Sequence, residues 1–112
     1  IQIQQVLVNL IMNGHQAMCD VAGAERRIHI ATSLGTNEVN AWVEDGGFGI
    51  DAHKLDRIFE PLATWKSSGT GLGLALCNTI IGAHGGRMWA ENRRHGGAIV
   101  GFQLPVLKET NT

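Results

Sequence analysis

The chain has 112 residues, a formal net charge of −1, and 44% hydrophobic against 17% charged residues, the make-up of one small globular domain. Such a balance excludes a strongly basic nucleic-acid binder, and no run approaches the roughly 20 apolar residues of a membrane-spanning helix. No signal peptide is visible. Cys19 and Cys77 read as two reduced thiols of a cytosolic protein, and His15, His29, His53, His84 and His95 show no zinc-ligand spacing with them.

The first element is an amphipathic helix from residue 2 to about 20. Ile3, Val6, Leu7, Leu10, Gly14, Ala17 and Met18 recur at steps of three and four. Its other face carries Gln5, Asn9, Asn13 and Gln16 in a row. The pattern starts at Ile1 with no capping residue ahead of it, so we expect a piece of a longer protein. Residues 27–34 alternate, with Ile28, Ile30, Thr32 and Leu34 on one side, as in a strand. After the turn "L-G-T-N-E", Val39, Ala41 and Val43 make a second strand, a hairpin partner that ends at Asp45.

A short helix is expected over 51–58, with Asp51 as its cap and Leu55 and Ile58 apolar. Residues 59–70 have no period and read as a polar loop. Residues 71–84 return to helix, with Leu72, Ala75, Leu76, Thr79, Ile80 and Ala83 on one face, and "H-G-G" stops it. Residues 87–92 and 98–104 are two more strands. Helices on one face of a largely antiparallel sheet make an α+β two-layer sandwich.

Four stretches can carry chemistry. Asn9 and Asn13, one turn apart, can reach one Mg²⁺ or its water shell, or simply line a solvated helix face. In "D-G-G-F-G-I", Asp45 stands at a strand end before glycines, where its carboxylate can accept from an exocyclic amine such as adenine's, or cap an ordinary turn. In "F-E-P-L-A-T-W-K", Phe59 and Pro61 can hinge a lid and Lys66 can reach a phosphate, unless this is only a surface loop. In "G-T-G-L-G-L", amides at a helix N-terminus attract anions. This is not a Walker A loop, because Lys66 precedes the glycines, nor is it the dinucleotide fingerprint.

Together, in this order, the four stretches resemble the ATP-binding catalytic domain of bacterial sensor histidine kinases. That family lies within the larger class that includes gyrase, heat-shock chaperone and mismatch-repair ATPases. "Q-V-L-V-N-L-I-M-N-G-H-Q-A-M" looks like the N box, "D-G-G-F-G-I" the first glycine box, "F-E-P" the F box and "G-T-G-L-G-L-A-L" the second glycine box. "H-G-G-R-M-W-A-E-N" and "G-G-A-I-V-G-F-Q-L-P" resemble the closing strands, so the likeness covers nearly the whole chain.

The resemblance implies a mixed, mostly antiparallel sheet covered by about three helices on one face. It implies that residues 1–112 are this catalytic domain, truncated at its N-terminus and without its dimerisation domain. Its cofactors would be ATP and Mg²⁺. Asn13 would hold the metal, with Asn9 nearby, and Asp45 would accept from the adenine amine. Gly47, Gly49, Ile50 and Phe59 would lie around the nucleotide. Lys66 would contact phosphate from the lid, and Gly69, Thr70, Gly71, Leu72 and Gly73 would wrap the phosphates. Asn9, Asn13 and Lys66 would be the catalytic set. Where hydrolytic relatives carry a glutamate this chain has Asn9, and a neutral amide is no general base near pH 7. Slow hydrolysis and transfer to a histidine fit better.

The acceptor histidine would sit on a separate dimerisation domain, of the same or a partner chain, with a response-regulator receiver domain downstream. This piece alone would not phosphorylate itself. No nucleic acid and no direct membrane contact are implied. The expected location is the cytoplasm, whether or not the parent protein is membrane-anchored. The chain departs from the family at Gly46 (often Asn), Gly14 (usually Ala), Gln16 (often basic) and Trp65 (often small and polar). The family's strand before the first helix is missing, so the sheet should have an open edge or a missing cover. Two alternatives stay open on the sequence: a serine protein kinase of the anti-sigma type, and a degenerate, non-catalytic nucleotide-binding module, which Gly46 and Gln16 favour.

Overall fold

The computed structural model describes residues 2–19, 27–47, 49–60, 72–94 and 96–106. Helix α1 spans Gln2–Cys19 and buries Val6, Leu10, Gly14 and Met18, one residue per turn. Strands β1 (His29–Leu34) and β2 (Glu38–Glu44) follow as the expected hairpin. Helix α2 spans Leu72–Ala83, and strands β3 (Arg87–Asn92) and β4 (Ala98–Pro105) close the fold. The order across the sheet is β1-β2-β4-β3.

Two expectations need correction. The described strands pair only antiparallel, not in a mixed sheet. The helix expected over 51–58 is instead a run of turns around one 3₁₀ turn, Leu55–Arg57. Its bonds run from Lys54 N to Asp51 O (2.8 Å) and from Arg57 N to Lys54 O (2.9 Å), an i→i+3 pattern. So short a segment does not recover the cost of nucleating an α-helix. Asp51 does not cap the 3₁₀ turn, whose N-cap position is Lys54 with no side-chain cap bond; its Oδ1 accepts from His53 N at 2.9 Å in the turn ahead of it. Two α-helices and this 3₁₀ turn therefore stand where about three helices were expected among the described residues.

The helices share one face of the sheet. Helix α1 packs over β2 and β4, and α2 over β3 and β4. Val6 and Leu10 of α1, Cys77, Ile80 and Ile81 of α2, Ala41 and Val43 of β2, and Phe102 of β4 form the core. "H-G-G" ends α2 as expected: Gly86 N donates to Ile81 O (2.9 Å) and Gly85 N to Gly82 O (3.0 Å), the paired bonds of a Schellman stop. On the face turned away from the helices, Trp42 and Trp89 lie with ring centroids 6.2 Å apart.

Candidate functional site

Strand alternation places the first site residue. Ala41 and Val43 face the helices, so Asp45, two residues on, turns the same way and is only 5% exposed. A buried carboxylate needs donors. Its Oδ1 accepts from Gly47 N at 2.9 Å and from Ala98 N at 3.3 Å. The main chain is fixed too, with Asp45 N donating to Ala98 O at 3.0 Å.

Asp45 stands in the wall of a cavity of about 230 Å³. Helix α1 contributes Leu10, Asn13, Gly14 and Ala17, and the segment after β2 contributes Gly49, Ile50, Asp51, Lys54 and Ile58. Leu74 of α2 and Ala98 and Val100 of β4 complete it with Val43. The lining is mostly apolar, with one amide, two carboxylates and one ammonium among the described residues, a composition typical of small-molecule sites. Its volume falls below the roughly 300–1,000 Å³ of a whole ligand site, which suits one end of a larger ligand.

The structure separates the two asparagines. Asn13 lines the cavity, whereas half-buried Asn9 donates its Nδ2 to Cys77 Sγ of α2 at 3.6 Å. Burial pushes the Cys77 thiol up from its ordinary pKa, against the lowering effect of that hydrogen bond. Both cysteines are free, Cys77 buried and Cys19 exposed.

The glycines after Asp45 serve different neighbours. A Cβ on Gly47 would stand 2.6 Å from the Ala17 carbonyl oxygen, so this glycine lets the turn pass under α1. Gly49 has φ +84°, and a Cβ there would meet Asn92 Oδ1 at 2.8 Å. Ile50 lines the cavity, while Phe59 is half-buried and is not among its lining residues. Gly73 lies in the first turn of α2, where an added Cβ would meet nothing within 4 Å among the described residues. Lys66, Gly69, Thr70, Gly71 and also Trp65 lie outside the described residues, as does the side chain of Leu72.

Four residues of this region escaped the sequence reading: Lys54, Ala98, Asn92 and Arg93. Lys54 and Ala98 line the cavity. Asn92 accepts from Ile50 N at 2.6 Å and donates to Ile50 O at 2.7 Å. Arg93 donates from Nη1 to the Asp45 carbonyl at 2.9 Å, and its Nε lies 3.6 Å from Glu44 Oε1. The available signal was a polar "E-N-R-R-H" between the apolar middle of a strand and two glycines. Among the described residues, no three His, Cys, Asp or Glu side chains gather to hold a metal ion. No described helix is long and apolar enough to cross a membrane.

Comparison with known proteins bears on the family and the fold. The family model described as "Histidine kinase-, DNA gyrase B-, and HSP90-like ATPase" matches residues 1–108. Sensor protein FixL of Bradyrhizobium diazoefficiens is 40% identical over 97% of this chain, which spans 21% of that protein. Sensor histidine kinase TmoS of Ectopseudomonas mendocina is 40% identical over 95% of this chain and 11% of its own length. The chain thus spans about a fifth or less of these curated relatives. Among solved structures, the nucleotide-free catalytic domain of histidine kinase ThkA superposes with a TM-score of 0.79 at 36% identity, covering 93% of this chain and 66% of that one.

Proposed function

The chain belongs to the histidine kinase-, DNA gyrase B- and HSP90-like ATPase family, and from that premise we propose that it binds Mg-ATP for phosphoryl transfer to a histidine. The observation that carries this reading is the buried Asp45 carboxylate in the wall of the cavity that Asn13 also lines. Asp45 would accept from the adenine amine, with its own Oδ1 already held by Gly47 N and Ala98 N. Ile50 and Val43 would pack on the base. Asn13 would offer its amide oxygen to Mg²⁺, which binds through oxygen ligands and keeps most of its water. A site with one protein amide and, among the described residues, no cluster of acids suits a cation held largely by phosphates.

When bound, ATP supplies the γ-phosphoryl group, and catalysis would be positioning and charge neutralisation. Lys66 would be the lid's cation, and the amides from Gly69 to Gly73 would receive the phosphates. Asn9 supports slow hydrolysis: it is a neutral amide, and its Nδ2 is engaged with Cys77. The names of the relatives support a histidine acceptor over serine, and a role in two-component signalling. The acceptor would sit on a separate dimerisation domain, a receiver domain would take the phosphoryl group onward, and the domain would work in the cytoplasm.

Titrating a fluorescent ATP analogue with and without Mg²⁺ tests the site. Asp45→Asn should weaken binding by about tenfold or more, since it replaces a charged acceptor with a half-donor amide. Equal affinity for both proteins would overturn the adenine assignment. Mixing the chain with a histidine-bearing dimerisation domain and labelled ATP tests transfer, and absence of label on the histidine would favour a non-catalytic module.

A further inference from the structure

We infer that Asn92 and Arg93, at the β3–β4 hairpin, are positioning residues that set base selectivity in the nucleotide site. The inference rests on the nucleotide reading above. Asp45, just past β2, and Gly49 and Ile50 line the cavity, so the placing of these residues decides where the Asp45 carboxylate and the Ile50 side chain meet a base. The hairpin grips this segment at its two ends, Asp45 and Ile50. Arg93 Nη1 donates to the Asp45 carbonyl at 2.9 Å. At the other end a single side-chain amide satisfies both main-chain groups of Ile50: Asn92 Oδ1 accepts from its N–H at 2.6 Å, and Asn92 Nδ2 donates to its C=O at 2.7 Å.

The register makes the grip rigid. Asn92 pairs across the sheet with Ala98, the residue whose N–H reaches Asp45 Oδ1 and whose C=O accepts from Asp45 N. Both ends of the segment are therefore measured from one ladder rung of β3 and β4. Gly49 completes the fit, because any Cβ there would strike Asn92 Oδ1. Only an amide can play this part at position 92. An aspartate would set an acceptor against the Ile50 carbonyl, and an alanine would leave both Ile50 groups without it.

The test is the ratio of Mg-ATP to Mg-ITP affinity, measured by calorimetry on the chain and its variants. ITP carries a carbonyl where ATP carries the exocyclic amine that Asp45 would bind. Wild type should prefer ATP. Asn92→Ala should reduce that preference about tenfold, with Asn92→Asp and Arg93→Met falling between the two. Leu34→Thr, on the opposite edge of the sheet, should leave the ratio unchanged. Thermal melts show which variants are folded, and Asn92→Asp serves if Asn92→Ala is not. Loss of fold alone lowers the affinity for both nucleotides and leaves their ratio where it was. A wild-type preference that survives in the folded Asn92 variants would overturn the inference. A wild type that binds neither nucleotide, or both equally, would remove the adenine reading and this inference with it.

Discussion

Strands β4 and β1 carry the same alternation and meet different fates. Phe102 of β4 is 3% exposed, whereas Leu34 of β1 is 77% exposed. Both face the helices: Phe102 pairs with Ala41, and Leu34 pairs with Val39, two positions along the same face of β2. The difference is cover. Among the described residues, helices α1 and α2 pack over β2, β3 and β4, and β1 lies beyond them at one edge of the sheet. Only Ile28, just before β1, packs against the core, and Ile30 is 51% exposed. Alternation tells which way a side chain points, not whether anything waits there. The site follows the covered half: its carboxylate is fixed by β4 and its flanking segment by the hairpin from β3.

Urea denaturation can break this comparison. Phe102→Ala should cost about 3–5 kcal/mol, the range for a buried aromatic, and a loss below about 1 kcal/mol would show that β4 is not the packed centre. Gly101→Ala, on the face of the same strand turned away from the helices, should cost about 1–3 kcal/mol by overpacking. Its Cβ would stand 2.6 Å from Ala41 O and 2.7 Å from both Trp42 Cβ and Trp89 Cζ2. A neutral result there would mean that the tryptophan pair yields freely. Gly14→Ala should go the other way, raising stability by about 0.5–1 kcal/mol through helix propensity. Its Cβ would meet Asp45 Cβ at 3.5 Å, Ile28 Cδ1 at 3.6 Å and Val43 Cγ1 at 3.7 Å, ordinary contacts. Leu34→Thr on β1 should change stability by less than about 0.5 kcal/mol. A larger loss would show that something covers the edge in solution.

Much of the architecture was legible because it rests on local periods. The first helix, four strands and second helix match their expected spans within a residue or two, and "H-G-G" ends α2 where it was read. The segment 51–58 misled because its two apolar residues fit a helical step but are too few to nucleate one. In the site, Asp45 was visible as an acid at a strand end before glycines. Asn9 and Asn13 looked equivalent from spacing, and the structure separates them because α2 brings Cys77 to one and the cavity opens beside the other. Asn92 was invisible as a site residue, since its partner Ile50 lies 42 residues away.

By itself the sequence determined the two long helices, the four strands, the glycine-marked turns and the family. Each follows from interactions within a few residues or from motifs in fixed order. Only the tertiary structure decided which apolar strand is covered, which asparagine meets the cavity and what braces the segment after Asp45. Those depend on which distant surfaces come to lie within hydrogen-bond or van der Waals reach, and short-range periodicity carries no record of that.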